Sequence, residues 1–196
     1  MRLLIMSDTH LPTRARALPE QVWQEVDRCD VVVHAGDWID VGLLDALEAR
    51  ADRVLGCWGN NDGPQLRARL PEVARATLAG VRVAVTHETG AATGRESRMR
   101  AAHPETDLLI FGHSHIPWDS IAPSVSIAPS ASNAPWDTNA PAAGRHPGTS
   151  PLRLLNPGSP TDRRRQPLCT YLTASLDAGV ISEVVLHELG AASGRS

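Results

Sequence analysis

Five short apolar runs, each ending in residues that carry oxygen or nitrogen donors, constrain this chain more than any other feature. The runs are Arg2–Met6, Val31–His34, Arg53–Cys57, Val81–Thr86 and Leu108–Phe111. Each is rich in Val, Ile or Leu and too short for an ordinary helix, which favours buried strands. Between them, Pro19–Arg28 and Leu43–Arg50 repeat apolar residues at helical spacing. Pro19 suits a first helical turn, and Asp40 stands where it can cap the second helix. Strands alternating with helices predict an α/β fold with a largely parallel sheet. Leu168–Leu176 and Val180–Leu186 flank "DAG" and predict a β-hairpin near the end.

The length of 196 residues fits one domain over residues 1–196, with a core of its own. One stretch breaks the pattern. From about 121 to 151 the chain is dominated by Ala, Pro and Ser, lacks apolar periodicity, and reads as a flexible low-complexity insertion in which Trp136 is the one large apolar residue. The formal net charge of −3 gives no general attraction to nucleic acid. Cys29, Cys57 and Cys169 are scattered and odd in number, the pattern of free thiols in a reducing compartment. The opening MRLLIM turns polar at Ser7 and Asp8, too soon for a signal-peptide core or a membrane span. A cytoplasmic protein without a membrane anchor is expected. An exposed edge on the final hairpin would leave room for a homo-oligomer.

The polar ends of the runs carry the chemistry. "SDTH" holds Asp8 and His10, "HAGD" ends in Asp37, and "GNND" supplies Asn60, Asn61 and Asp62. "THET" contributes His87, and "GHSH" contributes His113 and His115. Taken singly these are turn residues, caps and surface histidines. Taken in order, always behind a strand, they predict a ring of donors at the strands' carboxyl ends, where open α/β sheets bind ligands.

Two Asp, one Asn and four His without thiolate suit Mn²⁺, Fe²⁺, Zn²⁺ or Ni²⁺ rather than a structural zinc. Seven donors exceed one ion's needs and suffice for two divalent metal ions if Asp37 bridges. Two aspartates neutralise only part of that charge. The remainder would attract an anion and acidify water, which points to phosphoester hydrolysis without a covalent intermediate.

The ordered series D-x-H, GD, GN-x-D, TH, GH-x-H and "NPGS" resembles the calcineurin-like metallophosphoesterases, in particular their small YfcE-type phosphodiesterase branch, from Asp8 to Ser159. The resemblance implies a four-layer α/β/β/α sandwich, two mixed sheets with outer helices. It implies that Asp8, His10, Asp37 and His115 hold one metal, and that Asp37, Asn60, His87 and His113 hold the other. The latter four would also position a metal-bound hydroxide and the phosphate for in-line attack. Mn²⁺ is the expected ion, with Fe, Zn or Ni accepted by the same donors. The substrate implied is a small phosphorylated molecule, probed first as a phosphodiester. A non-catalytic protein-interaction scaffold is the competing reading, because the family's retromer subunit uses this fold as a binding surface.

Three departures from the family pattern bear on mechanism. Larger members follow the ligand asparagine with a histidine that protonates the leaving group; here Asn61 stands there, which implies good leaving groups or a proton from solvent. "THET" replaces the branch's common "THGH", so Glu88 either joins the second metal or faces solvent. The Ala/Pro/Ser insertion could drape over the site. Asn156–Ser159 reads as a structural closing turn, and His34 as a packing residue. Gly36, Gly59 and Gly112 read as tight turns that aim ligands. Arg163 and Arg164 are either a solvated loop or arginines reaching a remote anionic group of the substrate.

Overall fold

The computed structural model describes residues 1–124 and 150–190. The bulk of the proposed insertion, including Trp136, lies outside the described residues. Ten strands form two five-stranded mixed sheets among the described residues. In the first sheet, β1 (Arg2–Met6), β2 (Val31–Ala35) and β3 (Val54–Cys57) run parallel, while β9 (Cys169–Asp177) and β10 (Val180–Leu189) add an antiparallel hairpin beside β1. In the second sheet, β5 (Val81–Thr86), β6 (Leu108–Ile110) and β8 (Leu152–Asn156) run parallel. The antiparallel strands β4 (Val73–Leu78) and β7 (Trp118–Ala122) close its two edges.

The five sequence-predicted strands are therefore real but belong to two sheets. A single rim of parallel strands does not exist, and the donors come from the carboxyl ends of strands in both sheets. Side-chain alternation explains the packing. Leu3 and Ile5 of β1 face Val83 and Val85 of β5 and Leu108 and Ile110 of β6 in the core between the sheets. Leu4 and Met6 point the other way, against Val22 and Val26 of α1 (Glu20–Val26) and Leu44 and Leu47 of α2 (Val41–Arg50). Leu66 of α3 (Pro64–Arg69) joins that layer. On the far face of the second sheet, Leu109, Phe111 and Leu154 pack with Met99 of α4 (Arg95–Ala102). The result is helix, sheet, sheet, helix. β2 is buried along its whole length, which is why it reads as an unbroken apolar run.

Asp40 caps α2 as its position predicts, accepting the Gly42 amide at 2.7 Å. Pro19 precedes α1 as its N-cap instead of entering the first turn. The hairpin turn places Ala178 and Gly179 at φ 45° and 82°, the handedness that a tight two-residue hairpin turn needs. Strand β7 takes in Ile121 and Ala122, the first two residues of the proposed insertion. All three cysteines are free; Cys29 and Cys57 are buried and Cys169 partly so. No described helix is long and apolar enough to cross a membrane.

Candidate metal centre

The first sheet delivers four donors. Past β1 the chain turns sharply, with Asp8 at φ 56° and His10 at φ 47°. The Asp8 amide donates to the Gly36 carbonyl at 2.9 Å, tying this turn to the one after β2. There Asp37 stands at φ 61°, and behind β3 comes Asn60. The second sheet adds His87 behind β5, then His113 at φ 69° and His115 at φ 57° behind β6. Five of the seven candidate donors thus sit in left-handed backbone that non-glycine residues avoid. Such strain persists only where surrounding contacts over-determine it, and it concentrates at functional sites.

Those contacts are visible. Asp62 is buried, and its carboxylate accepts the amides of Asp37 (3.0 Å), Ile39 (2.8 Å) and Gly59 (2.7 Å), clamping two donor loops together. Asp8 accepts the His113 amide at 3.0 Å and lies 2.7 Å from Ser7 Oγ. The Asn156 carboxamide donates to the Gly112 carbonyl at 2.8 Å and accepts the Gly158 amide at 2.8 Å, while Ser159 Oγ donates to the Asp8 carbonyl at 2.7 Å. The closing turn is a bracket beneath the site, as its sequence suggests.

All seven donors meet. His115 Nε2 lies 3.3 Å from Asp8 Oδ1 and 3.2 Å from His10 Nε2. A single oxygen, Asp37 Oδ2, stands 3.6 Å from His10 Nε2 and 3.4 Å from His87 Nε2, the position a bridging ligand would need. Asn60 Oδ1 lies 3.0 Å from both His87 Nε2 and His113 Nδ1. Two groups can each close on one ion: Asp8, His10 and His115, and Asp8, Asp37 and His87.

The tautomers show that these donors fit cations. His87 Nδ1 faces the Ala35 carbonyl at 2.7 Å and His115 Nδ1 faces the Asp162 carbonyl at 2.5 Å. A carbonyl only accepts, so both Nδ1 atoms carry a proton, and each Nε2 presents a lone pair whenever its imidazole is neutral. Those lone pairs point at carboxylate, carboxamide or imidazole atoms that also offer electrons. Only a proton or a cation reconciles them. The electrostatics agree: burial alone would raise the Asp37 carboxyl, yet His87 and the Asn61 amides hold it well below the usual carboxylate range. Burial also opposes charge on His87, but Asp37 and Asp8 outweigh it and push that imidazole up.

Residues 1–179 match the calcineurin-like phosphoesterase superfamily domain. This chain is a member of that superfamily. It is 32% identical over 121 residues to a probable metallophosphoesterase of Methanocaldococcus jannaschii, a match that spans 60% of each protein. Its fold is similar to that of Thermotoga maritima protein TM1076, with a TM-score of 0.65, 24% identity and coverage of 96% of this chain and 99% of the other. It is equally similar to Entamoeba histolytica Vps29 complexed with zinc, with a TM-score of 0.66, 18% identity and coverage of 96% and 98%. Like these structural neighbours, the chain folds as two packed mixed sheets with helices, in keeping with the small branch of its superfamily.

Around this candidate centre the remaining predicted residues take distinct places. Asn61 turns its carboxamide onto Asp37, donating to Oδ2 at 2.6 Å while its amide donates to Oδ1 at 2.9 Å. Glu88 is exposed. His34 is buried and stacks on Trp38 with ring centroids 3.6 Å apart, so it packs. Arg163 donates to the Gln166 carbonyl at 2.8 Å, and Arg164 to the His113 carbonyl at 3.1 Å. Gly36 does take positive φ, at 85°. Gly59 and Gly112 do not, and their need for glycine is steric. A Cβ at Gly112 would lie 2.8 Å from Asp8 Oδ2, and one at Gly59 would lie 2.2 Å from Asp37 Oδ1. The clamp role of Asp62 is not evident from sequence position alone; its place in "GNND" is the one available signal.

Proposed function

We propose that this chain is a dinuclear metal-dependent phosphoesterase acting on phosphodiesters, a single-domain cytoplasmic enzyme for small phosphorylated substrates. The observation that carries the reading is the convergence described above: His87 Nε2 and His115 Nε2, oriented by the contacts of Nδ1 with backbone carbonyls, point at Asp37, Asn60, Asp8 and His10. Asp8, His10, Asp37 and His115 would hold one divalent ion, and Asp37, Asn60, His87 and His113 the other, with Mn²⁺ expected and Fe, Zn or Ni also suited. Such ions supply Lewis acidity toward a phosphoryl group and bring water's pKa toward neutrality.

The chain's own residues do the rest. Asp37 keeps its charge at neutral pH, and Asn61 orients its carboxylate. His113 is exposed at the opening, where its imidazole can meet a phosphate oxygen. No acid stands in the place of Asn61, so a phosphodiester with a good leaving group is the favoured substrate.

The test is turnover of bis(p-nitrophenyl) phosphate with Mn²⁺ by the parent, His115→Ala and Asp37→Asn, together with metal stoichiometry. Two ions per chain in the parent and loss of at least a hundredfold in both variants are expected. Parent-like rates in both would end the assignment. A protein that turns over nothing with Mn²⁺, Fe²⁺, Zn²⁺ or Ni²⁺ would instead favour a scaffold, the reading that the likeness to Vps29 keeps in play.

A further inference from the structure

Beside the candidate centre the surface opens into a depression of about 610 Å³ whose lining includes Arg14, Ser114, Asp162, Arg164, Arg165 and Gln166 beside the apolar Ile116. Its wall is continuous with the donor loops. Ser114 stands between His113 and His115, the Asp162 carbonyl holds His115 Nδ1, and Arg164 Nη1 donates to the His113 carbonyl. Three arginines line the depression with one carboxylate, that of Asp162, whose Oδ2 lies 3.6 Å from Arg14 Nε. Arg165 is exposed, and its side chain forms no hydrogen bond or ion pair among the described residues. Arg164 spends one nitrogen on the His113 carbonyl, and among the described residues its others are left for a ligand.

The other opening of the site has the opposite character. A smaller depression of about 260 Å³ reaches Asn60 and His87, and its wall carries Glu72, Glu88 and Trp58. An anionic arm would be repelled there and drawn to the arginine side.

We infer that Arg14, Arg164 and Arg165 form a subsite for a second anionic group, carried on the arm of the phosphodiester that is not the leaving group. The inference rests on the phosphodiesterase reading and deepens it. Guanidinium matches the paired oxygens of a carboxylate or phosphate, so the substrate class is a phosphodiester bearing one further oxyanion. Arg14 and Arg165 join Arg164 in this role, while Arg163 is engaged with the Gln166 carbonyl.

Three p-nitrophenyl phosphodiesters test the subsite, with a propyl, a carboxyethyl or a phosphonoethyl second arm. In each, water forms the new bond to phosphorus, the bond to the aryl oxygen breaks, and nitrophenolate leaves with release of a proton. The parent should prefer the anionic arms over propyl by about tenfold in kcat/KM, the scale of one added charge-assisted pair. A larger preference for the phosphonoethyl arm marks a phosphate ligand, and the reverse a carboxylate. In the double variant Arg14→Gln, Arg165→Gln the preference should fall to within about twofold. A parent that hydrolyses the propyl ester with a ratio near one overturns the subsite and leaves the phosphodiesterase reading standing. A parent that hydrolyses none of the three with any divalent metal overturns that reading. The subsite is then judged by calorimetric binding of phosphonoacetate: binding weakened about tenfold in the double variant upholds it, and absent or unchanged binding refutes it.

Discussion

Replacing Gly59 by alanine should damage the centre while leaving every candidate donor in the sequence unchanged. A Cβ there would lie 2.2 Å from Asp37 Oδ1 and 2.4 Å from the Asp37 nitrogen. Real Cβ contacts do not fall below 3.0 Å, so one side must move by at least 0.8 Å, the difference between 3.0 and 2.2 Å. Neither side moves freely. The Asp62 carboxylate binds the Gly59 amide at 2.7 Å and the Asp37 amide at 3.0 Å, and the Asn61 amide binds Asp37 Oδ1 at 2.9 Å. Overpacking plus one distorted buried hydrogen bond costs about 2–3 kcal/mol. In a chain of 196 residues that lowers Tm by roughly 5–10 °C.

Displacing Asp37 should also weaken Mn²⁺ binding by about 10- to 100-fold, the usual scale for disturbing the support of a ligand. Thermal unfolding of chelated protein reads the first effect, and calorimetric Mn²⁺ titration reads the second. Gly63→Ala is the control. Nothing lies within 4 Å of its Cβ and its φ of −78° suits alanine, so its stability should stay within about 1 kcal/mol of the parent, the scale of alanine replacing glycine at a helix N-cap. A Gly59→Ala protein that unfolds and binds Mn²⁺ like the control would refute the claim that steric closeness, and not turn geometry, selects glycine here.

Asp62→Ala strands three amide donors at once and should cost about 3 kcal/mol, read by urea unfolding and by faster hydrogen exchange at Asp37, Ile39 and Gly59. His103 gives a pH signature away from the centre. Burial, reinforced by repulsion from Arg75 and Arg100, pushes it down to about 4 from an ordinary 6.5. The unfolded chain therefore binds the extra proton between those values, and stability is full above 6.5 and lost as pH falls toward 4. The loss should reach about 2 kcal/mol after partial solvent screening. His103→Gln should flatten that part of the stability curve, and an unchanged slope would show the proton goes elsewhere. Adding Mn²⁺ to chelated protein at a hundred times Kd should raise stability by about 2.7 kcal/mol, with no such gain in Asp37→Asn at the same concentration.

What the sequence reveals and what it conceals follow from range. Strands such as β1 and β2 are legible because their apolar runs are local and nearly unbroken. The candidate donors are legible because polar residues interrupt those runs abruptly. β4 offers a clean alternation in "VARATL", buried at every second residue, but its arginine and alanines weaken the apolar signal. Helix α4, "RESRMRAA", is harder still, since its buried residues are Arg95 and Arg100. Arg100 succeeds there by donating to the Thr106 carbonyl at 2.9 Å, and Arg95 by lying over Phe111 and Trp118. The division into two sheets is a matter of which strands pair, and no local pattern encodes it. Nor could sequence bring Arg14 beside Arg164 and Arg165, separated from it by about 150 residues.

The split origin of the donors has a consequence for how the molecule matures. Asp8, His10, Asp37 and Asn60 ride on one half, and His87, His113 and His115 on the other. Neither half can assemble the full set before the two faces have docked. Cation uptake would then come late in folding and act as a checkpoint, reporting that the last long-range interface has closed. Under the proposed function, partly assembled chains would be left without the means for stray hydrolysis.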